Sequence, residues 1–234
     1  MSHYALIGHN ISHSLSPQLF LERFGAAGHS YRLFDMAELC DLRQLVADNN
    51  LAGFNVTSPF KTAVISQLDF LDDTAKEIGA VNCVRVESDG TLSGFNTDAE
   101  SFRLTIESFH LSGRQALILG TGGAARAVAY ALRQQGLQPL LVSRNPQEGQ
   151  LSYPQAATLA PKASLIVNAT PSGCTLPFSI PNRQSIIFYD LNYSPAQTSF
   201  LQSVAHYGAK TIDGMQMLRN QAHLSWHLWH LTTL

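Results

Sequence analysis

Apolar and polar residues form alternating blocks along the first half of the chain. Short apolar runs that end at glycine or at polar residues predict buried strands, and stretches with apolar residues three or four positions apart predict helices. The predicted strands span residues 4–8, 31–34, 53–56 and 83–86, and the predicted helices span residues 16–24 and 38–49. Strands that alternate with helices are typical of a mostly parallel sheet covered by helices.

Two local signals refine this prediction. Ser16 and Pro17 fit the N-cap and the first position of the first helix. Ser88, Asp89 and Gly90 are typical of a hairpin turn, which predicts an antiparallel strand pair at one edge of the sheet.

A second α/β pattern begins near residue 98. Helices are predicted over residues 98–109, 126–135 and 218–231, and strands over residues 115–119, 139–142, 165–168 and 186–190. The predicted fold class is therefore α/β, with an N-terminal α/β domain on a mostly parallel sheet and a Rossmann-like dinucleotide-binding domain after it.

Composition narrows the classes of function. The 234 residues carry a formal net charge of −2, which gives no electrostatic case for binding nucleic acid or an anionic membrane. The three cysteines form no C-x-x-C pair, so they indicate reduced thiols rather than a disulfide framework or a zinc site. The N-terminus lacks the features of a signal peptide, and we expect a cytoplasmic protein without a membrane span.

A glycine-rich turn follows the predicted strand 115–119 and begins a helix. Its residues are Gly120, Thr121, Gly122, Gly123, Ala124 and Ala125. Glycines at such a turn let backbone N–H groups approach a pyrophosphate, and the helix N-terminus adds a partial positive charge. The strand–turn–helix context favours dinucleotide binding over a tight turn without a ligand.

The end of the next strand indicates which dinucleotide is bound. An acidic residue there is typical of NAD enzymes, but this chain has Ser143 followed by Arg144. Arg144 can pair with a 2′-phosphate, which favours NADP, although an exposed arginine without a ligand is common. Glu148 would repel that phosphate, so NAD stays an alternative.

Polar residues lie at the ends of the predicted strands of the first half or next to them, and ligands of open parallel sheets bind beyond the carboxyl ends of the strands. They are Ser14, Ser16, Asn55, Thr57, Lys61, Asn82, Asn96 and Asp98. Each has a purely structural alternative: Ser16 and Asp98 as helix caps, Asn55 and Thr57 as partners of loop backbone, and Lys61 as a surface lysine. Together they fit a small polyhydroxylated ligand, with Lys61 and Asp98 available for proton transfer.

The order of these motifs resembles the shikimate dehydrogenase family. The matching stretches are S-x-S-P at 14–17, N-V-T-x-P-x-K at 55–61, G-A-V-N at 79–82, G-x-N-T-D at 94–98, the turn at 120–125, N-A-T-P at 168–171, Y-D-L-x-Y at 189–193 and G-x-x-M-L-x-x-Q at 214–221. They cover nearly the whole chain.

The resemblance implies NADPH-dependent reduction of 3-dehydroshikimate to shikimate, in chorismate and aromatic amino-acid biosynthesis. It implies a substrate-binding catalytic domain of residues 1–98 and 218–234, a Rossmann-like NADP-binding domain of residues 99–217, and both ligands in a cleft between them. Lys61 and Asp98 match the catalytic pair, with Lys61 exchanging a proton at the reacting oxygen.

The resemblance also assigns binding residues. The positions that match substrate contacts are Ser14, Ser16, Asn55, Thr57, Asn82, Tyr193 and Gln221. Those that match cofactor contacts are Gly120, Thr121, Gly122, Gly123, Ala124, Ser143, Arg144, Asn168, Thr170, Leu191 and Gly214.

Other functions stay open at this point. A quinate or aminoshikimate dehydrogenase would share these motifs, whereas a non-catalytic dinucleotide sensor would have no use for Lys61 and Asp98. His223, His227 and His230 lie on one helix face, but no cysteine or acid joins them at ligand spacing, so no metal is expected. The oligomeric state, monomer or homodimer, is not indicated.

Overall fold

A computed structural model of the protein describes residues 1–109, 111, 115–171, 173–180, 186–205 and 208–231. The chain divides into two compact units, Met1–Ser101 with Leu218–Leu234, and Phe102–Met217. The first division lies three residues beyond the predicted domain boundary at residue 98, and residues 232–234 of the predicted first domain lie outside the described residues.

The first unit is built on a six-stranded sheet with the spatial order β2-β1-β3-β5-β6-β4. Its strands are β1 (His3–Gly8), β2 (Ser30–Asp35), β3 (Leu51–Val56), β4 (Phe70–Leu71), β5 (Cys83–Val86) and β6 (Leu92–Phe95). Its helices are α1 (Ser16–Phe24), α2 (Leu42–Asn49), α3 (Asp73–Ile78) and the 3-10 helices Gly25–Ala27 and Ala63–Gln67. Helices α4 (Asp98–Ile106) and α8 (Met215–Leu228) contain the points at which the chain passes between the units.

The sheet of the first unit is mixed. β1 pairs in parallel with β2 and β3, and β4 pairs in parallel with β6, whereas β5 runs antiparallel to β3 and β6. The hairpin predicted at residues 88–90 joins β5 to β6. It lies inside the sheet rather than at its edge, because the short strand β4 adds to the outer side of β6.

Two helix starts differ from the prediction. Leu15, not Ser16, occupies the N-cap of α1, and the N–H of Ser16 donates to the Ser14 hydroxyl at 3.3 Å. Helix α2 begins at Leu42 rather than at residue 38, because the Asp41 carboxylate accepts from the N–H groups of Arg43 and Gln44 and caps the helix there.

Apolar side chains cover both faces of the first sheet. Tyr4 and Leu6 of β1 join one buried cluster, and Ala5 and Ile7 join another, as the alternation of side chains along a strand requires. The cluster around Tyr4 includes Trp226 and Trp229, so the end of the chain contributes to the core of the unit that the N-terminus begins.

Trp229 fixes the position of the C-terminal turn. Its ring stacks on Tyr4 with centroids 4.7 Å apart, and its Nε1 donates to the carbonyl of Val84 at 2.9 Å. Gly53 of β3 lies directly beneath the indole, since a Cβ built at Gly53 would stand 2.4 Å from Nε1. The absence of a side chain at Gly53 is therefore what lets α8 approach the sheet.

The second unit is a five-stranded sheet in which every described strand pair is parallel. Its strands are β7 (Gln115–Leu119), β8 (Gln138–Val142), β9 (Ala163–Asn168), β10 (Ile187–Asp190) and β11 (Lys210–Ile212), in the order β11-β10-β9-β7-β8. Helices α5 (Gly123–Gln134), α6 (Tyr153–Leu159) and α7 (Ser199–Ala205) and the 3-10 helix Ala160–Lys162 connect them. The predicted α/β fold with a Rossmann-like part is confirmed.

The strand order reverses between β7 and β9, because β8 lies on one side of β7 and the rest of the sheet on the other. In open parallel sheets, the carboxyl ends of the strands at such a reversal form the usual ligand site. The glycine-rich turn at 120–125 follows β7, so it lies at this point.

None of the helices in the described ranges is long and apolar enough to cross a membrane. All three cysteines are free, and burial raises the pKa of Cys83 to about 12.

We expect Gly53→Ala to lower the free energy of unfolding by about 1–3 kcal/mol, because the new methyl group overlaps the Trp229 ring and must displace it. Urea unfolding followed by tryptophan fluorescence measures the effect. Gly25→Ala is the matched control: Gly25 has φ −61° and a Cβ there would make only ordinary contacts, so this variant should be as stable as the parent protein or more so. Equal stability of the two variants would contradict the role given to Gly53.

Candidate active site and cofactor site

The polar residues predicted from the first half of the chain meet at one edge of the first sheet. β1 and β3 are parallel, so the segments that follow Gly8 and Val56 leave at the same edge. β5 runs the opposite way, and its beginning, next to Asn82, therefore lies at that edge as well. β6 reverses again and brings Asn96, Thr97 and Asp98 back to it.

Lys61 and Asp98 form a close ion pair at this edge. The Lys61 Nζ lies 2.6 Å from the Asp98 Oδ2, and the side chains are only 14% and 7% exposed. Asp98 is the first residue of α4. Its carboxylate is bound by Lys61 and Asn82 side chains, so its geometry is that of an ion-pair partner rather than of the helix cap considered as an alternative.

Asn82 holds Asp98 in place. Its Nδ2 donates to the Asp98 Oδ1 at 2.9 Å and to the Thr97 hydroxyl at 2.8 Å, and its Oδ1 accepts from the Thr97 N–H at 2.7 Å. Its backbone N–H donates to Phe95, and its carbonyl accepts from Val56. With 2% of its surface exposed, Asn82 is locked between β3 and the start of α4.

Ser14 and Thr57 contribute small hydroxyl groups from the loops after β1 and β3, and Ser16 contributes one from the first residue of α1. Ser14 and Thr57 are partly exposed, and Ser16 is buried. Asp35, which no sequence pattern selects, fixes the first of these loops: its carboxylate accepts from the N–H groups of Asn10 and Ile11 at 2.8 and 3.0 Å. No local signal reveals such a contact, because Asp35 and Asn10 are 25 positions apart.

Asn55 is 5% exposed, and most of its amide is engaged within the chain. Its Oδ1 accepts from the Tyr31 hydroxyl at 2.8 Å, and its Nδ2 donates to the Asn82 carbonyl and to the Ser225 hydroxyl. Both amide hydrogens are therefore used, and a ligand hydroxyl can reach this side chain only as a donor to Oδ1.

Gln221 and Tyr193 lie in different units. Gln221 is on α8 in the first unit, where its backbone carbonyl accepts from the Ser225 hydroxyl at 2.9 Å and its side chain is half-buried. Ser225, itself fully buried, thus links Asn55 to the helix that carries Gln221. Tyr193 follows β10 in the second unit and is half-buried.

The glycine-rich turn has the local geometry that a phosphate-binding loop needs. Gly120 has φ +116°, and a Cβ there would stand 2.9 Å from the carbonyl oxygen of Ala169. Gly122 is the N-cap of the twelve-residue helix α5, no atom lies within 4 Å of the place its Cβ would occupy, and the first turn contains no acidic residue. An open backbone at a helix N-terminus without acidic side chains suits an anion.

The remaining predicted cofactor residues follow the other strands of the second sheet. Ser143 and Arg144 come after β8, and Arg144 and Glu148 are both exposed. Asn168 ends β9, Thr170 follows it, Leu191 follows β10 and Gly214 follows β11. Since all these strands are parallel, the turns lie at one edge of the sheet, with a cation beside β8 where a dinucleotide's 2′-phosphate is read. The residues present fit NADP.

In the described parts of the chain, no three His, Cys, Asp or Glu residues cluster as the ligands of a metal ion would. His223 instead contacts the Trp226 ring at 4.9 Å between centroids, and the His230 Nε2 lies 3.5 Å from the Arg85 guanidinium.

Comparisons with known proteins find relatives that cover nearly the whole chain. The family model described as shikimate dehydrogenase substrate binding domain matches residues 6–84. A shikimate dehydrogenase (NADP(+)) of Thermus thermophilus is 37% identical over 98% of this chain and 92% of its own length. Shikimate dehydrogenase 1 of Peptoclostridium difficile superposes with a TM-score of 0.87 at 31% identity, covering 100% of this chain and 93% of its own.

A second solved structure, a shikimate 5-dehydrogenase of Thermus thermophilus in complex with NADP(H) and shikimate, gives a TM-score of 0.85 at 34% identity, over 100% of this chain and 95% of its own. Similarity of this extent covers both units, the Lys61–Asp98 site and the glycine-rich turn alike. The chain belongs to the shikimate dehydrogenase family.

Proposed function

We propose that the protein is a shikimate dehydrogenase, which reduces 3-dehydroshikimate to shikimate with NADPH and catalyses the reverse reaction with NADP. The observation that carries the proposal is the Lys61–Asp98 pair, 2.6 Å apart, largely buried, and surrounded by small hydroxyl and amide side chains at one sheet edge. Relatives that share the architecture of both units carry this activity in their names.

Lys61 is the proton donor in the direction of reduction. When bound, NADPH supplies the hydride that reaches the carbonyl carbon of the substrate. The carbonyl oxygen then gains negative charge, and the Lys61 ammonium, held by Asp98, is placed to transfer a proton to it. In the reverse direction Lys61 accepts the proton of the alcohol. Its side chain keeps 14% of its surface exposed, so it can exchange protons with solvent.

Asp98 orients Lys61 and keeps its charge paired. Because Asn82 donates to the other carboxylate oxygen, Asp98 cannot swing away from the lysine without breaking a buried hydrogen bond. The proposed substrate contacts are made by Ser14, Ser16, Asn55, Thr57, Asn82, Tyr193 and Gln221, whose hydroxyl and amide groups complement the hydroxyls and carboxylate of shikimate.

The proposed NADP contacts come from the second unit. The turn of Gly120, Thr121, Gly122, Gly123 and Ala124 receives the pyrophosphate at the N-terminus of α5. Arg144 would pair with the 2′-phosphate, with Ser143 preceding it directly after β8. Asn168, Thr170, Leu191 and Gly214 lie at the same edge of the sheet and complete the site. The carboxylate of Glu148 repels the 2′-phosphate and so weakens the preference for NADP, but the attraction by Arg144 remains.

We further propose a cytoplasmic location and a monomeric or homodimeric state. The three free cysteines support the location, because disulfides are rare in the reducing cytoplasm. No nucleic acid or membrane partner is proposed, because the net charge of −2 offers no electrostatic attraction to either.

The activity is tested by the absorbance of reduced nicotinamide in mixtures of purified protein, shikimate, and NADP or NAD. We expect reduction with shikimate to be faster with NADP than with NAD, because Arg144 recognises the 2′-phosphate. Faster reduction of NAD would reverse the cofactor preference and leave the dehydrogenase assignment intact. Turnover of quinate or aminoshikimate but not of shikimate would replace shikimate as the assigned substrate. Cofactor binding without turnover of any of the three compounds would indicate a dinucleotide sensor.

Replacement of Lys61 separates catalysis from binding. We expect Lys61→Ala to lower kcat by about 10²- to 10⁴-fold, the usual contribution of a positioned acid–base group, while the Kd for NADP stays unchanged. Steady-state kinetics and calorimetric titration give the two values. Lys76→Ala is the control, since Lys76 is an exposed lysine of the same unit in a surface ion pair with Asp73, and it should leave kcat unchanged. Full turnover by Lys61→Ala would remove Lys61 from the reaction.

A further inference from the structure

A buried carboxylate, that of Asp190, lies at the end of β10 in the second unit. Asp190 has 1% of its surface exposed, and the four donors that bind it among the described residues are uncharged groups. On one side, the Thr198 hydroxyl donates to Oδ2 at 2.6 Å and in turn accepts from the N–H of Leu201, in the first turn of α7. The Oδ2 atom therefore supports the first turn of α7 through Thr198.

The Oδ1 atom of Asp190 binds the turns that follow two strands. Oδ1 accepts from the Asn168 Nδ2 at 3.0 Å, from the Asn192 N–H at 3.0 Å and from the Asn192 Nδ2 at 2.8 Å. Asn168 ends β9, and Asn192 lies two residues after β10. One oxygen atom therefore joins the turns that follow two neighbouring strands.

Asn192 extends these contacts to a third loop. Its Nδ2 also donates to the Thr170 carbonyl at 3.0 Å, and its own carbonyl accepts from the Gly214 N–H at 3.0 Å. Gly214 is pressed against the same turn, since a Cβ there would stand 2.1 Å from the Leu191 carbonyl oxygen. The turns after β9, β10 and β11 are thus joined through the side-chain amide and the backbone of one residue.

Three of the proposed cofactor residues, Thr170, Leu191 and Gly214, lie on the three turns that Asn192 connects. The Asn168 Oδ1 that accepts from the Thr170 N–H and hydroxyl belongs to the amide whose Nδ2 binds Asp190, so Asp190 also sets the orientation of Asn168. Neither Asp190 nor Asn192 needs to touch a ligand to control where these turns stand.

We propose that Asp190 and Asn192 are positioning residues for NADP: together they hold the turns after β9, β10 and β11 in the arrangement that binds the cofactor. The inference rests on the proposed function, because it assumes that the cofactor binds at this edge of the sheet. The proposal assigns different roles to the two carboxylate oxygens of Asp190, and these roles can be tested separately. Contacts of Oδ1 affect the cofactor site, whereas contacts of Oδ2 affect the stability of α7.

The test compares three variants, in which an uncharged residue replaces another, with the parent protein. Calorimetric titration gives the Kd for NADP, and urea unfolding gives the stability. Asn192→Ala removes the side-chain contacts, and Asn192→Leu removes them while keeping a side chain of similar size. Thr198→Val removes only the hydrogen bond to Oδ2 and the helix cap. Steady-state kinetics with shikimate give KM for NADP and kcat for each variant.

We expect both Asn192 variants to weaken NADP binding by about 3- to 10-fold, as the loss of one or two hydrogen bonds predicts. KM for NADP should rise by the same factor, with kcat at saturation reduced by less than about threefold, since the loss is mainly one of binding. Thr198→Val should unfold at lower urea concentration and keep the Kd within about twofold of the parent protein.

Two results would overturn the proposal while leaving the function in place. Parent-like NADP binding by Asn192→Leu would mean that Asn192 acts by its size and not by its hydrogen bonds. Equal weakening by Thr198→Val and Asn192→Ala would mean that the contacts around Asp190 have only a structural role. A parent protein that binds no NADP would overturn both this proposal and the proposed function.

Discussion

The arrangement of the first unit depends on the amide of Asn82. This side chain satisfies three hydrogen bonds to Thr97 and Asp98, and its backbone is bound to both neighbouring segments. A buried amide can make these bonds in only one orientation, because exchanging its oxygen and nitrogen would set donor against donor at the Thr97 N–H. The ion pair of Asp98 with Lys61 follows from it, since Asp98 then has one oxygen fixed and one left for the lysine.

The reversed direction of β5 is what allows Asn82 to act. If β5 ran parallel to β3, Asn82 would lie at the opposite edge of the sheet, a full strand length from Asp98. The second unit solves a similar problem with parallel strands alone: Asp190 and Asn192, at a strand end, bind the turns of both neighbours. In each unit, a buried polar side chain at the sheet edge holds neighbouring loops together through its hydrogen bonds. Breaking these bonds costs much free energy, because no water replaces them at a buried site.

Sequence patterns predicted the parts of the fold that depend on local chemistry. Eight strands, the hairpin at residues 88–90 and the turn at Gly120 were predicted from apolar runs and glycine positions, and the structure contains all of them. The short strands β4 and β11 were not predicted. The start of α2 and the cap of α1 were predicted wrongly, because Asp41 and Leu15 occupy those positions and several nearby residues have similar capping tendencies.

Contacts between distant residues were beyond those patterns. Nothing in the neighbourhood of Asp35 or Asn192 indicates that each fixes a loop, and the two hydrogens of the Asn55 amide are seen to be engaged only when Ser225, 170 positions away, lies beside it. The motif that contains Asn55 predicts that this residue contacts the substrate. Only the folded chain shows that its amide binds the neighbouring strand and helix.

In the second unit, the residues proposed to set cofactor preference are separate from those that stabilise the fold. Arg144 and Glu148 are exposed, and the loop that carries them is closed by its own backbone bonds, from the Ser143 N–H to the Leu151 carbonyl and from the Leu151 N–H to the Leu141 carbonyl. Neither charged side chain is needed to hold that loop, so exchanging them changes stability by only about 0.5 kcal/mol or less. Asp190 is the opposite case, because a change there leaves four donors without their acceptor. Under the proposed cofactor contacts, the choice between NADP and NAD can therefore change at the exposed loop with little effect on stability, whereas a substitution at Asp190 is costly.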